Sequence, residues 1–436
     1  MTVAAVTTQL TAIATAIIAA RVLQEVGFGE LGMVRSTILV FSVLAGTSLG
    51  VSCTKYVAEF RDKDPARAGR IVGLMLNVGL ICGIIGTILC LVFASPLAVL
   101  AVKAEQLTGA LRIGCLLVGL NILIGAELGA LNGLEAFHSA MLIRCFRGLI
   151  TLVLVSLGVC ISGVNGAISG YVAASLCTLP IVHIMLKRRC EQAGIAVRHR
   201  HVLSDMPILW RFSIPAVLAG ISTQSFEWLA KVLLSRQPDG MAQVGFITAA
   251  LALAGFVQFL PQQFAAPMMP ILSHVYAAGQ RGSFRRAIQK GSLLLIVVGI
   301  VVAIPMVLLA RHLMTTYGGS FVVGAPALVI IALTYGLVSA TMVSTAALAA
   351  TGRMWTQTAH KLAWGTTMVF AMYWLAEYGA LGMAYSYAIA NVTYGTLQFI
   401  TVARLVRGMQ NEAKPDAVSQ VGLMTQAAPS GQLVAK

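Results

Sequence analysis

The sequence predicts an all-α polytopic membrane protein of about 12 transmembrane helices, and three observations predict it. Composition excludes a soluble globule: 58% of the 436 residues are hydrophobic and 10% charged, whereas a soluble domain needs roughly 25% charged residues to cover its surface. Charge-free runs such as Ile71 to Val102, Gly148 to Val182 and Leu313 to Gly352 exceed the ~20 residues that cross a ~30 Å hydrocarbon layer, so the longest hold hairpins. These runs are uniformly apolar with Gly, Ala and Ser scattered among Leu, Ile and Val. That pattern is a helix bundle's, not the alternating one of a membrane β-barrel.

The spans fall near 3–20, 33–59, 70–95, 107–133, 139–162 and 166–187, then near 208–235, 241–273, 285–312, 322–350, 356–377 and 380–406. Basic residues orient them. With the amino terminus in the cytoplasm, the inner ends and loops collect 22 of the 30 Lys and Arg residues and the outer side seven, with Lys55 left inside a span. Lys and Arg concentrate on the cytoplasmic side, so a multi-pass protein of a bacterial inner membrane with both termini cytoplasmic is expected. The formal charge of +15 then follows from topology and requires no nucleic-acid partner. The eight cysteines stand singly with no C-x-x-C pair, which predicts packing roles and neither a metal site nor a cofactor. No Lys or Arg precedes the first apolar stretch and no clean A-x-A site ends it, so it reads as a span rather than a cleaved signal.

The chain also reads as one unit written twice. A shift of 216 residues lays Gly163, Gly166 and Tyr171 on Gly379, Gly382 and Tyr387, and Arg188 on Arg404. With small drifts Arg21 answers to Arg236, Gly32 to Gly245, Tyr56 to Tyr276 and Gly133 to Gly352. Six spans per copy start both copies on the same side, so the internal repeat turns about an axis along the membrane normal. The expected organisation is a six-helix lobe over 1–190, a basic cytoplasmic linker over 191–207, a second six-helix lobe over 208–407 and a disordered cytoplasmic tail over 408–436. A binding site between the lobes is the transporter reading; two bundles packed as a scaffold is the alternative.

Several short motifs carry a resemblance. Ala20-Arg21-Val22-Leu23 followed by Gly29-Glu30-Leu31-Gly32 resembles an A-R-x-L-G-x-x-x-Y-G opening, with Gln24 where the glycine usually stands. Tyr56-Val57-Ala58-Glu59 closes the second span, Gly163-x-x-Gly166-Ala167 precedes the sixth, and Arg211-Phe212-Ser213-Ile214-Pro215 opens the seventh. In order and spacing, from about residue 10 to 407, the chain resembles the Wzx-type polysaccharide biosynthesis (O-antigen) flippases of the multidrug/oligosaccharidyl-lipid/polysaccharide exporter superfamily. The resemblance implies alternating access by a monomer, moving an undecaprenyl-pyrophosphate-linked oligosaccharide across the inner membrane with its tail left in lipid. H+ or Na+ would be the coupling ion. A cation-coupled multidrug exporter of the same superfamily is the alternative, and a membrane glycan ligase or polymerase a third reading. Every expected outer loop is short, which disfavours the enzyme.

Asp62-Lys63-Asp64 has the D-x-D form of a sugar-nucleotide site, but in a short turn before Pro65 it reads as solvated loop, and no catalytic residue is expected. Arg198-His199-Arg200-His201 reads as a basic loop that holds the topology. Charges inside spans say more. Each costs at least ~2.5 kcal/mol at membrane depth, so those that persist line a pathway or pair with one another. The substrate-binding candidates are Arg35 and Lys55 in the second span, Arg112 and Glu127 in the fourth, and Gln224, Glu227, Trp228 and Lys231 in the seventh. Lys55 with Glu59, and Glu227 with Lys231, stand one helical turn apart and share a face, either as a cavity stripe or as a structural clasp. Arg144 and Arg147 read equally as topology anchors or cavity charges, and Arg311 and Lys361 as snorkelling groups near helix ends. Pro261, Pro267 and Pro270 kink the eighth span, as a gate or as static bends.

The topology makes a direct prediction. Single cysteines introduced at Lys63, Arg200 and Gly282 should react with an impermeant maleimide from the cytoplasm, and at Ala104 and Pro238 from outside. A mixed pattern would sink the twelve-span arrangement.

Overall fold

The computed structural model describes residues 2–46, 49–197 and 214–411, so most of the expected linker and all of the tail beyond Asn411 lie outside the described residues. The described chain makes twelve passes, all helical. The face on which α1 begins and α15 ends is the terminal face; the opposite one is the distal face. α1 (Thr2–Ala45) makes two passes about a break at Gln24, and the second continues as α2 (Leu49–Phe60). α3 (Pro65–Pro96) rises again, and α4 (Leu107–Gly114) and α5 (Leu116–Gly133) together return. α6 (Phe137–Gln192) closes the first lobe as two passes broken at Ser162 and Gly163.

The second lobe repeats this order. α7 (Ile214–Ser235) rises, and α8 (Gly240–Ala265) with α9 (Met268–Ala277) returns. α10 (Arg281–Leu308) leads through the short α11 (Ala310–Thr315) to a pass made by α12 (Ala325–Val338) and α13 (Thr341–Ala350). α14 (Met354–Leu375) and α15 (Gly379–Asn411) complete it. The expected eighth span is therefore two helices, divided at Ala266 and Pro267, because a proline cannot continue the backbone ladder. The expected tenth span is likewise two.

Asp64 explains the D-x-D turn. Its carboxylate accepts from the Arg67 backbone N–H at 2.9 Å and caps α3, with Pro65 in the first turn, while Asp62 pairs with Arg61 at 3.1 Å. Arg61 also reaches Glu135 at 2.9 Å, tying the end of α2 to the turn after α5.

The internal repeat is visible in the backbone and corrects two of the sequence pairings. Gly163 (φ 55, ψ −131) and Gly379 (φ 61, ψ −135) break their chains in the same left-handed conformation, 216 residues apart. At the end of α5, Glu135 N–H bonds Asn132 O and Ala136 N–H bonds Leu131 O; at the end of α13, Gly352 bonds Ala349 and Arg353 bonds Leu348. The counterpart of Gly352 is therefore Glu135, not Gly133. Nor is Gly32 the counterpart of Gly245. α1 crosses α8 where a Cβ on Gly29 would overlap the Met241 carbonyl and a Cβ on Gly245 would overlap the Glu25 carbonyl, a reciprocal contact at a uniform shift of 216. Only glycine lets two backbones approach this closely, as small residues do at helix crossings in lipid.

This crossing joins the lobes near the distal face. Phe28, Phe246, Tyr317 and Phe321 pack around it with ring centroids 5.7 to 5.9 Å apart, edge to face except for the tilted Tyr317–Phe321 pair, and Tyr317 and Phe321 are fully buried. Toward the terminal face the lobes part: α2 packs on α5 and α3, and α9 on α13 and α10, each within its own lobe.

Gln24 adopts φ 59 and ψ −175, a region essentially reserved for glycine, where a side chain costs about 1–3 kcal/mol. Its side chain is exposed and donates to the Arg21 carbonyl at 3.2 Å. Gln24→Gly is expected to raise the midpoint of thermal unfolding in detergent, and Gln24→Val to lower it. A midpoint unmoved by either would mean that the break carries no strain.

Candidate substrate cavity

A cavity of about 690 Å³ lies between the lobes, beneath the glycine crossing. Its wall comes mainly from the first lobe. α1 contributes Thr8, Thr11 and Thr15 from its first pass and Gly32, Arg35 and Ser36 from its second; α5 contributes Asn121. α6 contributes Arg144, Arg147 and Thr151 from its first pass and Tyr171 and Ser175 from its second. The second lobe supplies one stripe, Gln224, Glu227, Trp228 and Lys231 on α7, together with Thr248 on α8. The three threonines of α1 recur every three or four residues, so one helical face turns its hydroxyls inward. Two of these hydroxyls return to backbone carbonyls a turn earlier, Thr11 to Thr7 and Thr8 at 3.0 Å and Thr15 to Thr11 at 2.7 Å.

The charged groups are held in defined places. Lys231, 7% exposed, donates to Glu227 at 3.0 Å, and the half-buried Tyr335 and the buried Tyr387 lie near the same carboxylate. Trp228 bridges the lobes by donating to the Thr37 hydroxyl at 2.8 Å. Arg147 donates to the Asn121 side-chain oxygen at 2.8 Å, which aims the guanidinium across the wall. The Arg35 guanidinium stands 4.7 Å from the centroid of the Tyr171 ring, a cation–π contact that leaves its N–H fork open to the cavity. Arg144 is exposed on the same wall. Four cations therefore face one carboxylate, a net +3 among the lining residues.

Five of the eight sequence candidates meet here: Arg35, Gln224, Glu227, Trp228 and Lys231. Three do not, and each has a physical reason. α2 turns away with the first lobe, so Lys55 and Glu59 lie exposed outside the cavity, Lys55 Nζ standing 5.0 Å over the Tyr56 ring. Arg112 is exposed near the end of the short α4 at the distal face, a place where water reaches it. Glu127 faces α6 instead of the cavity. It is 3% exposed, with one oxygen 2.7 Å from His183 Nδ1, while its second oxygen has no hydrogen-bond partner among the described residues.

Sequence reasoning left Arg144 and Arg147 undecided and passed over Asn121 and the α1 threonines. The signal that resolves the arginines is the repeat itself. The shift of 217 that relates the turns after α5 and α13 carries Arg144, Arg147 and Gly148 onto Lys361, Trp364 and Gly365. In the second lobe Trp364 lies edge-on to Tyr387 at 6.2 Å, and Phe226 fills the space over Gly365. Aromatic rings therefore stand in the second lobe where Arg147 and Gly148 stand in the first, while Arg144 answers to another cation, Lys361.

The family profile described as "Polysaccharide biosynthesis protein" matches residues 1–276. No curated protein matches the sequence. Among solved structures, the inward-facing conformation of a multidrug resistance MATE family transporter of the MOP superfamily superposes with a TM-score of 0.81 at 16% identity, covering 93% of this chain and 96% of that one. The outward-facing conformation of such a transporter gives 0.69 at 16% identity, covering 94% and 96%. A MOP superfamily transporter from Pyrococcus furiosus, described as having a binding pocket of reversed polarity, gives 0.65 at 15% identity, covering 93% and 96%. The fold is therefore that of the MOP superfamily transporters.

Proposed function

Since the chain belongs to the polysaccharide biosynthesis protein family and has a transporter's fold, we propose that it is a flippase for a lipid-linked oligosaccharide. The substrate carries its sugar on an undecaprenyl pyrophosphate, and transport proceeds from the inner to the outer leaflet of a bacterial inner membrane. The observation that carries this reading is the charge of the cavity. Arg35, Arg144, Arg147 and Lys231 against the single Glu227 make a wall that attracts a pyrophosphate and repels a lipophilic cation. This disfavours the multidrug-exporter reading.

The parts of the cavity divide the work. Arginine forks match phosphate oxygens bidentately, so Arg35, Arg144 and Arg147 hold the pyrophosphate, while the threonine face of α1, Asn121 and Gln224 offer hydrogen bonds to sugar hydroxyls. The prenyl chain stays in lipid. Lys231 neutralises Glu227 in the empty cavity; a pyrophosphate that draws the lysine away leaves the carboxylate to a proton or another cation, which links substrate to ion movement. The higher likeness to the inward-facing relative supports a loading state, with the terminal face cytoplasmic as its basic residues indicate.

Binding of undecaprenyl pyrophosphate by the purified protein, read by native mass spectrometry, tests this. Arg147→Ala and Arg35→Ala are each expected to weaken binding about tenfold, the worth of one charge-assisted pair. Lys231→Ala is expected to abolish glycan export at normal membrane levels, with partial rescue by Lys231→Arg. Unchanged binding in both arginine variants, or displacement of the lipid by a lipophilic cation, would overturn the reading.

A further inference from the structure

The distal ends of the lobes are joined by a contact that the cavity does not use. Arg21, at the end of the first pass of α1, donates from Nε to the Thr316 carbonyl of the second lobe at 2.7 Å. Arg236, just beyond α7, donates from Nε to the Ala101 carbonyl of the first lobe at 2.9 Å and from Nη2 to the Leu100 carbonyl at 3.0 Å. A single shift of 215 carries Arg21 onto Arg236 and Ala101 onto Thr316. Each lobe thus reaches with the same arginine into the same loop of its counterpart.

We propose that Arg21 and Arg236 form a reciprocal latch that holds the distal gate shut and sets the balance between the two access states. The proposal rests on the alternating-access reading of the fold, not on the identity of the cargo. Three features suit the pair to a reversible closure. Both arginines are exposed, so water replaces the broken bonds and opening costs little per contact. Both bind backbone carbonyls, so the strike plate is the backbone of the helical turn Leu97–Ala101 that follows α3, and of the segment that follows α11, rather than any side chain. And because the two contacts are related by the repeat axis along the membrane normal and both join the lobes at the distal face, one parting of the lobes there separates both together. Glu25, which accepts from the Ser320 hydroxyl at 2.6 Å, adds a fourth bond, beside Arg21 only. The Gly29–Gly245 crossing and the Phe28, Phe246, Tyr317 and Phe321 cluster form the seal that this latch closes over.

Thr248, one turn past Gly245 at the top of the cavity, reports the opening. A Thr248→Cys chain is treated with an impermeant maleimide from whichever face labels a Pro238→Cys control, and the labelling of the parent's eight native cysteines is subtracted. Arg21→Gln, which loses one bond, is expected to raise the labelling rate about threefold, Arg236→Gln, which loses two, at least as much, and the double variant about tenfold or more. An unchanged rate in the double variant at normal membrane levels overturns the latch; an effect from only one arginine overturns its reciprocity. If a glutamine variant fails to reach the membrane, Arg21→Lys and Arg236→Lys carry the test and must give rates between parent and the expected glutamine value. The readout needs no substrate, so a failure of the pyrophosphate reading leaves it unmoved.

Discussion

A bilayer offers no water to an unpaired peptide group, and that constraint fixes where this chain is allowed to stop being helix. The breaks are few among the described residues. Gln24 and Asp239 take positive φ at the distal face, and Gly163 and Gly379 do so at the same level. Ala266 and Pro267 interrupt the eighth pass where it enters the wide end of the space between the lobes. Ser339 and Ala340 divide the tenth pass, Gly46 ends α1 before α2, and Cys115 parts α4 from α5. The described remainder of the passes is helix that must bury its small residues against another helix, and glycine carbonyl contacts such as the Gly29–Gly245 crossing are the result. The lobes exist because six such helices satisfy one another before they meet the second six.

The same constraint sorts the charges. Lys231 is tolerated at 7% exposure because Glu227 lies one turn away and 3.0 Å from it. Arg147 is tolerated because Asn121 receives one of its donors. Arg35 spreads its charge over the Tyr171 ring. Each is thus held by a partner that does not satisfy it fully, so donors remain for an anionic guest. Glu127 shows the opposite case, a buried carboxylate turned toward α6 and away from the cavity, where the exposed His183 imidazole is its partner.

Much of the fold was legible because a span is long and its signal is averaged over some 20 residues. The twelve passes, the two lobes and the repeat all emerge from apolar length, basic asymmetry and shifted glycines. The site was legible only where a periodicity exposed it. Gln224, Glu227, Trp228 and Lys231 recur at helical spacing on a helix that does reach the cavity. Lys55 and Glu59 have the same spacing, yet the chain beyond Ala45 bends with the first lobe and carries them out. Spacing places two groups on one face; it does not say what the face looks at. The register of the repeat failed for a related reason, since Gly32 and Gly133 are glycines by local packing, whereas the reciprocal helix crossing identifies Gly29, and backbone hydrogen bonding Glu135, as the counterparts.

Symmetry and function part company within this one molecule. The gate keeps the repeat, because Arg21 and Arg236 reach equivalent carbonyls and Gly29 and Gly245 cross reciprocally. A rocking motion about an axis needs equal contacts on both sides, so drift there would bias one half of the opening against the other. The cavity has lost the repeat. Arg147 answers to Trp364, and the open tyrosine under Arg35 answers to Tyr387, which is 3% exposed and packed against that tryptophan. Filling one lobe with rings gives it a rigid core, and leaving arginines in the other gathers the positive charge on one wall. Under the proposed function, a pyrophosphate would be held chiefly by that one wall, with Lys231 as the second lobe's one cation toward it.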